Sequence, residues 1–112
     1  MRVREMILNK SILRIFEVRA KPGSAELLKQ KLSDTSVAVV DGKPGNLGYL
    51  FGENLTSDGN DLVFISVWEN LESIKSYFGE AWEESYLPEG YEKMIDRCSI
   101  KHIEIDGQLT SQ

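Results

Sequence analysis

A handful of side chains in this 112-residue sequence could take part in chemistry, and each also has a plainer use. His102 is the only imidazole, and its ordinary pKa lies near neutral pH, which makes it the best single candidate for proton transfer. Its apolar neighbours Ile100 and Ile103 equally suit a structural histidine on a strand. Tyr77 offers a phenol that could donate a hydrogen bond or a proton to an oxygenated substrate. The plainer use is an amphipathic core residue whose hydroxyl reaches water. Trp68, at the end of an apolar run, could stack on a flat aromatic molecule or simply fill the core. Arg14 alternates with Ile12, Phe16 and Val18, so its guanidinium is either paired inside the protein or aimed into a pocket. A buried unpaired guanidinium is costly, so it needs a partner, either an acidic side chain such as Glu104 or an anionic ligand. Cys98 stands beside Arg97 but lacks a second Cys or a His–Asn constellation, which argues against a nucleophile.

Other chemistries are excluded by count and spacing. One His and one Cys make neither a two-His nor a Cys-based zinc motif, so no metal site is expected. The glycines at 42, 45, 48 and 52 fit neither dinucleotide nor phosphate-loop spacing, and no cofactor is expected. Glu80, Glu83, Glu84, Glu89 and Glu92 are spaced like a solvated helix face. With 18 acidic and 13 basic residues the formal charge is −5, and no basic run offsets it; nucleic acid is not an expected partner. No apolar run approaches the roughly 20 residues that span a bilayer. The first residues lack a secretory leader pattern, so a cytoplasmic protein is expected. The 41% apolar and 28% charged content is that of one folded domain.

The elements that must position these residues follow from local pattern. Residues 11–20 are dense in β-branched and aromatic side chains and stop at Lys21-Pro22-Gly23, which predicts a strand. Ser24 is a candidate N-cap for a helix over Ala25, Leu28 and Leu32 that reaches about Ser36 or beyond, ending before Asp41–Gly45. Strands over 46–54 and 62–68 flank the turn-rich segment 57–61 and predict an antiparallel hairpin. Asn70 caps a second helix whose stripe is Leu71, Ile74, Tyr77, Phe78, Ala81 and Trp82, with Gly79 a candidate interruption. A short helical piece over 91–97 and a strand over 99–105 complete the order. The domain therefore spans 11–105, between an N-terminal extension (1–10) and a polar tail (106–112). The order strand, helix, strand, strand, helix, strand predicts an α+β, ferredoxin-like fold, a four-stranded antiparallel sheet with both helices on one face. Yet residues 62–68 are apolar on both faces, with Leu62, Phe64 and Trp68 on one and Val63, Ile65 and Val67 on the other. The second face needs a cover. A homodimer joined sheet to sheet is the simpler expectation, and a fold-over of the first ten residues the alternative.

The sequence Pro44-Gly45-Asn46-Leu47-Gly48-Tyr49, leading into a strand, and Phe64-Ile65-Ser66-Val67-Trp68-Glu69-Asn70, opening the second helix, resemble the antibiotic biosynthesis monooxygenase (ABM) family. The likeness covers roughly residues 12–105. It implies a dimeric α+β barrel with a pocket between sheet and helices in each subunit. Some members of that family are cofactor-free monooxygenases of polycyclic aromatics or quinols, and others degrade haem. Trp68 matches the family's pocket Trp. Trp68 by this match, Arg14 by its place on the strand face and Phe64 are the expected substrate-binding residues, although aromatic-oxidising members carry Asn where this chain has Phe64. Haem degraders use a His on the second helix, and residues 71–87 contain none. The expected function is oxidation of a small planar phenol or quinol, with Tyr77 and His102 as catalytic residues. The alternative is a non-catalytic dimeric module that binds a small aromatic or apolar ligand.

Overall fold

The computed structural model describes residues 10–107. Strands β1 (Ile12–Ala20), β2 (Asn46–Glu53), β3 (Asp61–Trp68) and β4 (Ile95–Glu104) form one antiparallel sheet in the order β2-β3-β1-β4. Between β1 and β2, α1 (Ala25–Lys31) runs through a π-helical turn (Leu32–Ser36) into α2 (Val37–Val40). α3 (Leu71–Phe78) follows β3. This is the α+β ferredoxin-like arrangement predicted from the sequence. No helix is long and apolar enough to cross a membrane. Residues 1–9 of the expected extension and 108–112 of the expected tail lie outside the described residues, as does the proposed fold-over of the second face.

Leu28, Leu32, Val40 and Ile74 from the helices join Ile12, Phe16, Val18, Leu62, Phe64 and Trp68 from the sheet in one core. Pairing register stacks the helix-facing residues into layers across the strands. One layer is His102, Arg14, Ser66 and Tyr49; the next is Ile100, Phe16, Phe64 and Phe51. A polar row therefore lies beside an apolar one beneath the helices.

Three boundaries differ from the sequence pattern. α3 is capped by Asn70, whose side chain accepts from Ser73 N–H at 2.9 Å, but it stops at Phe78. Gly79, at φ 77°, ends it, and a single 3₁₀ turn, Gly79–Ala81, takes the place of the last predicted turn. β4 begins at Ile95 because pairing with Ala20 extends the strand over Asp96 and Arg97, whose own propensity is poor. The helical piece expected over 91–97 shrinks to Tyr91–Lys93.

The other sheet face carries Leu13, Ile15, Leu50, Val63, Ile65, Val67 and Ile103. Leu50 is 54% exposed and Ile103 45%, whereas Ile15 and Val67 on the same face are buried within the single chain. Both faces are apolar, as the alternation indicated.

Candidate functional site

A cavity opens between the helix-facing side of the sheet and the helices. Arg14, Phe16, Phe64, Ser66 and Ile100 form its floor; Ser36, Val39, Val40 and Phe78 form its wall; Tyr86 and Pro88 close it from the segment after α3. Its volume is about 50 Å³, room for a few waters and well below the roughly 300–1,000 Å³ of pockets that hold drug-sized ligands.

Arg14 dominates the cavity electrostatically. It is 5% exposed, yet no carboxylate lies within ion-pairing distance among the described residues. Its guanidinium donates through Nη1 to the Trp82 carbonyl and, at 2.9 Å, to His102 Nε2. Nη2 donates to the Glu84 carbonyl at 3.1 Å, and the plane lies 3.9 Å from the Phe78 ring centroid. Glu104, the acidic partner expected from sequence, instead meets Lys10 at 3.5 Å on the surface. In the β1–β4 register Glu104 sits opposite Ile12, one layer away from Arg14. Burial lowers the Arg14 pKa to about 10, which leaves the group cationic at neutral pH.

His102 stands behind Arg14 and is not part of the cavity lining. A guanidinium can only donate, so Nε2 accepts and the ring proton resides on Nδ1. Burial, and then the Arg14 charge, holds the imidazole pKa below its usual value. The ring also meets the edge of Trp82, with centroids 5.0 Å apart.

Tyr77 lies at the rim of α3, 38% exposed, and its hydroxyl donates to the Val39 carbonyl. It does not face the cavity as its position in the stripe suggested. Ile74 takes the inward direction, and Tyr77 ties α3 to α2 instead. Burial and the neighbouring Tyr86 raise its pKa. Trp68 is fully buried beneath the cavity, its Nε1–H donating to Ser66 Oγ at 2.9 Å and its ring stacked on Tyr77. Of the five site residues inferred from sequence, Arg14 and Phe64 reach the cavity; Trp68 and His102 support it from behind, and Tyr77 from its edge. Phe64 is flanked by Tyr49 and Phe51 with nearly parallel rings about 6 Å away.

Ser66 and Ser36 escaped the sequence reading. Ser66 carried a signal: it shares a face with Phe64 and Trp68, so a hydroxyl had to lie in the apolar layer. Ser36 did not, because the π turn that directs it into the cavity has no sequence mark. Its Oγ lies 2.8 Å from the Tyr91 hydroxyl, which donates to the Lys31 carbonyl at 2.9 Å. Tyr86 and Pro88 belong to a connection whose path depends on the rest of the fold.

A wider cleft, about 500 Å³, lies toward the C-terminal end of β1, lined by Glu17, Arg19, Glu53, Asp61 and Arg97 among others. Its Arg19 is already paired with Asp58 at 2.6 Å and Asp61 at 3.1 Å. Cys98 borders this cleft rather than the cavity. No group of three His, Cys, Asp or Glu side chains among the described residues could hold a metal ion.

The same fold occurs in solved structures of low sequence identity. PA3566 of Pseudomonas aeruginosa is 20% identical, with a TM-score of 0.67 over 93% of this chain and 99% of that one. A candidate antibiotic biosynthesis monooxygenase of Deinococcus radiodurans is 18% identical, with a TM-score of 0.69 over 90% and 98%. The haem-degrading protein Rv3592 of Mycobacterium tuberculosis, in a haem-free, cleaved form, is 13% identical, with a TM-score of 0.66 over 93% and 100%. No curated protein matches the chain. The sequence pattern of antibiotic biosynthesis monooxygenases matches residues 11–84, two-thirds of the chain including β1 to α3, and the protein belongs to that family.

Proposed function

We propose that the cavity takes a small planar phenol or quinol and that the protein oxidises it as a cofactor-independent monooxygenase. One observation carries this reading: a buried cationic Arg14, without a carboxylate among the described residues, set in a wall of Phe16, Phe64 and Phe78. Aromatic walls suit a flat ring, and a guanidinium in a dry site favours the ionised form of a phenol bound beside it. A phenolate, unlike a phenol, gives electrons to dioxygen readily, so the protein need only bind, ionise and desolvate its substrate. For an anthrone-like phenol a ring CH₂ and O₂ become C=O and H₂O. The substrate supplies all four electrons, one oxygen atom stays on carbon and the other leaves as water.

In this scheme His102, whose Nε2 already accepts from Arg14, holds the guanidinium from behind as a positioning residue, and the phenol's proton leaves to water. Tyr77 fixes the α2 wall through Val39, and Trp68 holds Ser66 in the floor. The working unit is a homodimer joined through the sheet face away from the helices.

Haem, the substrate named for the mycobacterial neighbour, does not fit the residues here. The one imidazole faces Arg14 rather than the cavity, so it offers no iron ligand there.

Oxygen uptake with a panel of hydroquinones and anthrone-like phenols tests the reading. Turnover is expected in the native protein and a loss of about a hundredfold in Arg14→Met. Saturable binding of these phenols with no oxygen consumption from any would replace it with the non-catalytic binding module.

A further inference from the structure

The cavity as it stands is about 50 Å³, so movement of part of its wall gives an aromatic ring more room. Residues 79–90 are the wall segment with the least regular structure, although Trp82 and Leu87 pack against the core. They begin at Gly79 (φ 77°) and end at Gly90 (φ 89°), both in conformations that favour glycine, and contain only the short 3₁₀ turn at their start. Tyr86 and Pro88 of this segment line the cavity. Besides the packing of Trp82 and Leu87, what holds its backbone is Arg14. The Trp82 carbonyl sits on Nη1 and the Glu84 carbonyl on Nη2, one oxygen on each terminal nitrogen. That is the disposition in which a guanidinium receives the two oxygens of a carboxylate.

We propose that residues 79–90 form a strap latched to Arg14 by a backbone imitation of a carboxylate, and that the ligand of the cavity is a planar aromatic acid whose carboxylate displaces both carbonyls and frees the strap. This rests on the assignment of the cavity as the substrate site and narrows the substrate class to hydroxyaromatic acids. The exchange is chemically matched. A carboxylate replaces two neutral acceptors with charged ones on the same fork, and the released carbonyls turn to water. Opening of the strap gives the ring more room. Phe78, stacked under the guanidinium, and Phe64 remain as faces for the ring.

The test is amide hydrogen exchange on the full chain, with 1-naphthoate as the probe and neutral 1-naphthamide as its control. In the unliganded protein, Arg14→Met is expected to raise exchange at the Trp82 and Glu84 amides at least tenfold while the β1 and β3 amides stay protected. Saturating 1-naphthoate is expected to do the same to the native protein, and to bind at least tenfold more tightly than the amide. If Arg14→Met fails to fold, Arg14→Lys keeps the charge without the planar fork and is expected to weaken naphthoate binding about tenfold. Strap amides unmoved by naphthoate, or naphthoate and naphthamide bound alike, would overturn the proposal. Oxygen uptake with 1,4-dihydroxy-2-naphthoate separates the two claims. Strap release without uptake removes the monooxygenase reading and leaves the latch; uptake of neutral hydroquinones with a fixed strap does the reverse.

Discussion

Arg14 and Arg19 lie five residues apart on β1 and show how differently one side chain behaves on the two faces of a sheet. Arg19 is matched by Asp58 and Asp61 at the surface, which raises its pKa and lowers that of Asp58 to about 2. Arg14 is held by two carbonyls, an imidazole and a ring, and its pKa falls. His102 bears a consequence that can be measured. Its folded pKa lies below that of the unfolded chain, so the unfolded state binds more protons as pH falls through 6.5, and stability drops with it. The Asp58 contribution is lost only below about pH 4, as pH falls from its ordinary 3.8 toward 2. His102→Gln keeps an acceptor for Arg14 and removes the titration. The native protein is expected to lose a few degrees of Tm between pH 7.5 and 5 that the variant does not lose; parallel curves would show that His102 is not held neutral. A second residue-scale test concerns Ser66. Ser66→Ala leaves the buried Trp68 N–H without its acceptor and is expected to cost about 1–3 kcal/mol in urea denaturation. The same change in a Trp68→Phe background has no orphaned donor and should cost clearly less. Equal costs would mean that the hydrogen bond contributes nothing.

At the scale of elements, the turn before β2 depends on a single glycine. Gly45 has φ 85°, and a Cβ there would lie 2.3 Å from Ser73 Oγ and 2.4 Å from Ser73 Cβ, on the first turn of α3. The Gly45 carbonyl also accepts from Glu69 N–H at 2.8 Å, so this one residue fastens the start of β2 to the end of β3. Gly45→Ala is expected to destabilise the fold by about 2–4 kcal/mol, combining backbone strain with overpacking. Adding Ser73→Gly removes the clash and should recover part of the loss, whereas no recovery would place the whole cost in the backbone. The Pro-Gly pair was legible in the sequence as a turn, but its contact with α3 was not. The same division runs through the fold. β1, β3 and the Asn70 cap were readable because alternation and capping are local. The early start of β4 and the π turn of Leu32–Ser36 depend on pairing with Ala20 and on packing against the sheet. The site divides likewise. The face of Arg14 followed from its spacing with Ile12, Phe16 and Val18. Its partners did not, because Trp82 and Glu84 approach through backbone carbonyls, which every residue has.

For the molecule as a whole, the face away from the helices is where a second copy is expected to pair. Leu50, Ile65 and Ile15 lie side by side across β2, β3 and β1, and Ile103 and Leu13 flank them in the next row. Lys101, at the β4 end of the first row, is tied to Glu17 at 2.9 Å, which keeps the charge at the margin of the apolar band. Leu50 and Ile103, the large exposed apolar side chains of this band, invite association. Pairing two copies face to face buries the same band twice and leaves both helical layers and both cavities outward. Sedimentation at micromolar concentration is therefore expected to give twice the 12.7 kDa chain mass. Leu50→Glu places a charge in the centre of that contact but on a side chain already half exposed in the single chain, so folding should survive. The dimer dissociation constant should rise by at least a hundredfold, with the circular dichroism spectrum unchanged. A native protein that sediments as a monomer at that concentration would refute the pairing, and the apolar band would then need cover from elsewhere in the chain.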